Sequence, residues 1–367
     1  MPGLISLPAE IIEVMGRDLS VTDLNSASLA CRVLRDNLTR CHFEAMAFQG
    51  TRSEIEEKLL RFLLHSNTPR VVAMGRVCRS LNLKILSVAN DNFHESEEYL
   101  PALIHAAKKK LPRVTCLSID IGGLSGDERT AFHWQFRSSY TWNGIRVLKA
   151  DVCNATLKVL LECVPRNVLQ AIDLVPAVRD PRLRYVKDEH PHLRRLRIWF
   201  PDPVLDLYRY FRSAQRVKLF HLSDLEELVI AETDIVNRPP RRGLNDHTYF
   251  VVQFSQIARS LSPLTNLRKL AIHYSHGILD WVQNPAVLHP GLPARLDLNT
   301  SMTLAIQRMG TKMLSLGEIC IVEKTAGGAV SLVYHGRRDA VGAMVVTVEA
   351  PGPSNSYKNS FPLGVKY

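Results

Sequence analysis

One short apolar pattern, apolar-x-x-apolar-x-apolar, recurs six times between residues 114 and 272. It stands at Val114/Leu117/Ile119, Ile145/Leu148/Ala150, Leu169/Ile172/Leu174, Leu193/Leu196/Ile198, Leu225/Leu228/Ile230 and Leu267/Leu270/Ile272. The last two apolar positions of each are two apart, the period of a strand with one face covered. Successive middle positions are separated by 31, 24, 24, 32 and 42 residues, enough for an intervening helix. Helix start signals occur in most of those intervals: Asn154 before Leu157–Val164, Asp180-Pro181, Asp202-Pro203, and Asp246 before Phe250–Leu261. A single helix–strand unit cannot cover its own apolar side, so neighbours must stack their strands into a parallel sheet with helices outside.

The flanks read differently. Ser53 is placed to cap a helix through about Ser66, and Pro69 to open another, so residues 51–95 are expected to be a helical linker. After the repeats, Asn299–Gly310 reads as a capped helix. Leu316–Glu323 reads as a strand, and Ala329–His335 and Ala343–Glu349 as two more, the latter two forming a short antiparallel element at 324–350 that caps the array. The tail from Pro351 is expected to lack stable structure.

Leu7 to Leu38, LPAEIIEVMGRDLSVTDLNSASLACRVLRDNL, reads as three short amphipathic helices. Pro8 suits a first helical turn. Ile11, Ile12, Met15 and Leu19 make one helical stripe. Ser20 and Asp23 have capping-box spacing, with Asp a weaker closer than Glu or Gln. About fifty residues in three short helices bury little surface alone, so much of this apolar face must meet a partner or the rest of the chain.

The joint occurrence of Leu7-Pro8-x-Glu10-Ile11-Ile12, Met15, Leu19, Asp23-Leu24 and Ser28-Leu29-Ala30-Cys31-Arg32 resembles an F-box, with Gly16 and Leu34 departing from its usual large apolar and aromatic residues. The resemblance implies docking to the Skp-type adaptor of a cullin ubiquitin ligase. It implies that Leu7, Pro8, Ile11, Ile12, Leu24, Leu29 and Cys31 lie at or near the adaptor contact. The later helix–strand units resemble divergent leucine-rich repeats of fungal-type F-box proteins, although the usual Asn or Cys after the strand is mostly missing. The expected fold class is therefore α plus α/β. A three-helix F-box at 1–50 and the 51–95 linker precede an irregular leucine-rich-repeat-like solenoid at 96–323, with the β element and tail behind it. A doubly wound α/β domain is the alternative that gives similar alternation.

Strand parity points to a recognition face. With Leu196 and Ile198 directed into the core, Arg195, Arg197 and Trp199 project to the opposite side, as do Lys149, Asp151, Lys269 and His273. Arg and Trp are enriched in binding hot spots, and an Arg pair suits a carboxylate or phosphate on a target protein.

No catalytic or cofactor motif stands out, and no secretory signal or apolar run of membrane-spanning length is visible. His190-Pro-His192 and His273-x-x-His276 lack the convergent partners of a zinc site. Seven scattered cysteines with no Cys-x-x-Cys read as free thiols of an intracellular protein, cytoplasmic or nuclear.

The formal charge of +10 invites a nucleic-acid reading. Residues 179–218 hold eleven Lys/Arg against five acids, whereas 1–50 hold four Arg against six acids. That local excess favours an acidic partner surface over nucleic acid. The expectation is a non-enzymatic substrate-recognition subunit that brings a protein target to the ligase. A scaffold acting with the adaptor alone, or a basic nucleic-acid binder, are the alternatives.

Overall fold

The computed structural model describes residues 7–86, 100–136, 140–174, 182–200, 222–232, 247–275, 298–324, 330–349 and Phe361. The start signals at Asp180, Asp202 and Asp246, His276, and the tail 351–367 apart from Phe361 lie outside the described residues. Among those described, eleven helices and eleven strands divide between two compact units, residues 1–168 and 169–367.

The first unit opens with helices α1 (Ala9–Asp18), α2 (Val21–Ala30) and α3 (Arg32–Phe43). Next come β1 (Ala45–Gly50), α4 (Arg52–Leu64), α5 (Pro69–Val77) and β2 (Ser80–Ile85). It closes with α6 (Leu100–Lys110), β3 (Cys116–Asp120), α7 (Gly126–Gln135), β4 (Val147–Asp151) and α8 (Asn154–Cys163). The second unit carries β5 (Ala171–Leu174), α9 (Arg182–Glu189), β6 (Arg195–Phe200), β7 (Glu227–Glu232) and α10 (His247–Leu261). It continues through β8 (Lys269–Ser275), α11 (Leu298–Lys312), β9 (Glu318–Lys324), β10 (Val330–Arg338) and β11 (Met344–Glu349).

The apolar pattern sets the register. In the first unit Met46, Leu81, Leu117 and Leu148 stand side by side across parallel β1 to β4. In the second, Ile172, Leu196, Leu228, Leu270 and Ile319 do so across parallel β5 to β9. At several of the strands the first apolar position closes a tight turn just before the strand. Leu193, Leu225, Leu267 and Leu316 donate their N–H to carbonyls three residues back, and all four side chains are buried. Helices cover the apolar sides: Val251, Phe254, Ile257 and Leu261 of α10 and Met302, Ile306 and Met309 of α11 are fully buried.

The expected fold class is corrected here. The chain does not form an F-box module followed by a leucine-rich-repeat-like solenoid with a separate β cap. Its eleven strands follow chain order and are mixed in sense, since β10 pairs antiparallel with both β9 and β11. The strands begin directly after α3, so β1 and β2 occupy stretches read as helical module and linker. The missed strands carried the same signal, Phe43/Met46/Phe48 and Cys78/Leu81/Leu83, hidden among helix-forming neighbours. The element at 324–350 extends the sheet of β5–β9 instead of standing apart from it.

Helix starts follow local chemistry. α4 is capped by Thr51, not Ser53, because Glu54 three residues on completes a capping box with it. Ser20 accepts from the Asp23 N–H at 3.1 Å, but its hydroxyl donates to the Asp23 carboxylate at 2.6 Å. The box stays half-made, as the shorter side chain leads one to expect. Among the described residues, no helix is long and apolar enough to cross a membrane.

Candidate functional site

Two surfaces draw together most of the residues singled out from sequence. The first is the outside of α1–α3. Their inner seam is Ile12, Leu24, Leu34 and Leu38, with Ala27, Cys31 and Cys41 packed against it. Gly16 permits the close crossing of α1 over α3, since a Cβ there would lie 2.5 Å from Leu38 Cδ2 and 3.0 Å from Cys41 Sγ. Cys31 caps α3, its sulfur accepting the Leu34 N–H at 3.4 Å. The Arg35 guanidinium donates to the Ser28 carbonyl of α2 at 3.1 Å, tying α3 to α2.

Of the proposed adaptor contacts, Leu7, Pro8, Ile11 and Leu29 are exposed, Leu29 at 77%. Ile12 and Leu24 point inward and hold the seam, while Cys31 is half-buried at its cap. The sequence stripe missed Val14, which is exposed, as are Leu7, Ile11, Met15, Leu19, Leu29 and Val33. Val14 was within reach of the helical period once Ile12 is assigned to the inside. Among the described residues, seven of the sixteen exposed large apolar side chains therefore fall between residues 7 and 33. That concentration exceeds the scattered exposure ordinary for a surface.

The second, taken unit by unit, is the sheet side away from the helices. In the first unit it carries exposed Asn82 and Lys84 and half-buried Ser118, Asp120, Lys149 and Asp151. Lys149 stands beside Ser118, and Asp151 beside Asp120, whose Oδ1 accepts the Gly122 N–H at 3.0 Å. In the second unit, Arg195, Glu227, Lys269, Glu318 and Arg337 stand side by side across β6 to β10, a row of alternating charge. Cross-strand opposite charges stabilise a sheet where like charges would not.

This side is less open than parity alone suggests. Arg197 donates to the Asp173 carboxylate at 3.3 Å, Trp199 Nε1 donates to the same carboxylate at 3.0 Å, and the Arg197 guanidinium stacks 4.2 Å over the Trp199 ring. Both side chains are thus engaged within the fold. His273 is fully buried, while Lys269 is exposed and Arg195 half-buried.

Burial raises the Glu227 carboxyl despite the nearby Arg195 and Lys269. Glu318 is held down to about 2 by its hydrogen bond with His335, at 2.6 Å, with Lys269 Nζ adding a contact at 3.0 Å. Sequence reading placed Glu318 and Cys320 on a strand but did not connect them to His335. The facing of Cys320 and His335 follows from a β9–β10 register that contains an irregularity between Val330 and Leu332. Among the described residues, Glu318, Cys320 and His335 form the single cluster whose donor atoms could converge on a metal ion, all within 4.8 Å of one another.

No family model matches the chain, and no curated protein matches it significantly.

Proposed function

We propose that this protein is a substrate-recognition subunit of a Skp–cullin–F-box ubiquitin ligase. The N-terminal helices dock the Skp-type adaptor, and the polar sheet sides hold a protein target. The observation that carries the reading is the dense exposed apolar surface of α1–α3, in a segment whose motifs resemble an F-box. A surface of this kind is buried in a partner more readily than kept in water. The chain supplies proximity and orientation, and ubiquitin transfer belongs to the enzyme recruited by the cullin. Lys269 and Arg195 on the second unit, and Lys84 and Lys149 on the first, are the cations offered to a target.

Co-expression with the adaptor tests the reading. The wild-type chain is expected to co-purify the adaptor and, through it, a cullin, and Leu7→Ala with Pro8→Ala to lose both. Failure of the wild type to retain the adaptor sinks the proposal. Retention of the adaptor without a cullin favours a scaffold outside ubiquitination.

A further inference from the structure

We infer that Glu318, Cys320 and His335 form a binding site for a single zinc-class divalent cation. Cys320 and His335 face each other across antiparallel β9 and β10, and Glu318 projects to the same side two residues before Cys320. The three donors are carboxylate oxygen, thiol sulfur and imidazole nitrogen, the set that zinc accepts. They are shielded: Cys320 is fully buried and His335 is 6% exposed.

Two features favour a cation between them. His335 Nε2 lies 2.6 Å from Glu318 Oε1 and also 3.2 Å from the donating Arg337 Nε. Nε2 cannot donate to the carboxylate and accept from the guanidinium in one tautomer. A metal ion accepts lone pairs from nitrogen and oxygen together and removes that conflict. On the other side of the ring, Glu349 Oε1 lies 3.7 Å from His335 Nδ1, just beyond hydrogen-bond distance, so a small approach would let it orient a metal-bound histidine from outside.

The neighbouring cations are side chains that can leave. Lys269 and Arg337 lie beside Glu318, but their side chains are 46% and 71% exposed and can turn into water. Binding sends the Cys320 thiol proton to solvent and leaves the His335 proton on Nδ1, towards Glu349. Solvent completes four-coordination as the remaining ligand.

The test uses the full chain, stripped with a chelator and titrated with cobalt(II). The site predicts saturation at one equivalent, a thiolate-to-cobalt band in the near ultraviolet, and displacement by zinc. Cys320→Ser is expected to abolish that band, and Arg337→Gln to tighten cobalt binding several-fold. Absence of saturable uptake, or a thiolate band that persists in Cys320→Ser, overturns the inference. Should Cys320→Ser lose the wild-type circular dichroism, Arg337→Gln decides: tighter binding supports the site, and unchanged or weaker binding contradicts it.

Discussion

Single residues carry separable roles in this chain. Gly16 departs from the F-box pattern, and its place at the crossing of α1 and α3 gives the reason, because the space a side chain needs is taken by Leu38 and Cys41. Gly16→Leu is expected to destabilise the protein by about 1–3 kcal/mol through overpacking, more than the ~1 kcal/mol regained in helix propensity. Denaturant unfolding measures the difference. Glu227 gives a pH-dependent test. Its carboxyl is raised by burial, so the folded protein holds that proton more tightly than the unfolded chain does. The resulting penalty is absent below the ordinary carboxyl range and grows as pH rises through it. Glu227→Gln should therefore raise the melting temperature at about pH 7, with the gain shrinking towards about pH 4. A gain independent of pH would show that the carboxyl is not the source.

At the level of elements, the strands were the most legible part of the sequence, and their surroundings the least. Alternation in the last two apolar positions of each motif fixed which side chains share a face, and the six strands read from it are β3 to β8. The same pattern at Met46/Phe48 and Leu81/Leu83 was masked by adjacent helical stripes, which a periodicity argument cannot arbitrate over so few residues. Burial on the polar side was not legible either. Asp173 looks like an exposed acid in the sequence but is 5% exposed and joins Arg197 to Trp199. Asp173→Ala is expected to cost about 3 kcal/mol or more, as for removal of one partner from a buried ion pair. Asp173→Ala together with Arg197→Met should recover part of the loss. Additive destabilisation in that double-mutant cycle would remove the pair from the account.

For the molecule as a whole, the irregular motif spacing was compatible with several ways of stacking helix–strand units. The strands of the antiparallel element were readable from their alternation and turns, but no local pattern specified that β10 would join the sheet of β5–β9 through β9 instead of standing apart as a cap. The expectation of free thiols can be tested by counting. Cys31, Cys41 and Cys153 are half-buried, whereas Cys78, Cys116, Cys163 and Cys320 are buried. Burial pushes the Cys78 thiol up to about 11 and Cys163 up to about 12, which keeps both protonated and inert. Titration of the native, metal-free protein with an aromatic disulfide should label no more than those three half-buried thiols quickly, and the other four only after denaturation.

The proposed docking of a Skp-type adaptor on the outer side of α1–α3 is open to calorimetric titration of the purified adaptor into the wild-type chain and into Ile11→Asp with Leu29→Asp. Both positions are exposed, so the variant should keep the wild-type circular dichroism. Saturable one-to-one binding is expected, weakened about a hundredfold in the variant, from about 1.4 kcal/mol at each of two anchors. No binding by the wild type, or equal affinity in the folded variant, would contradict it.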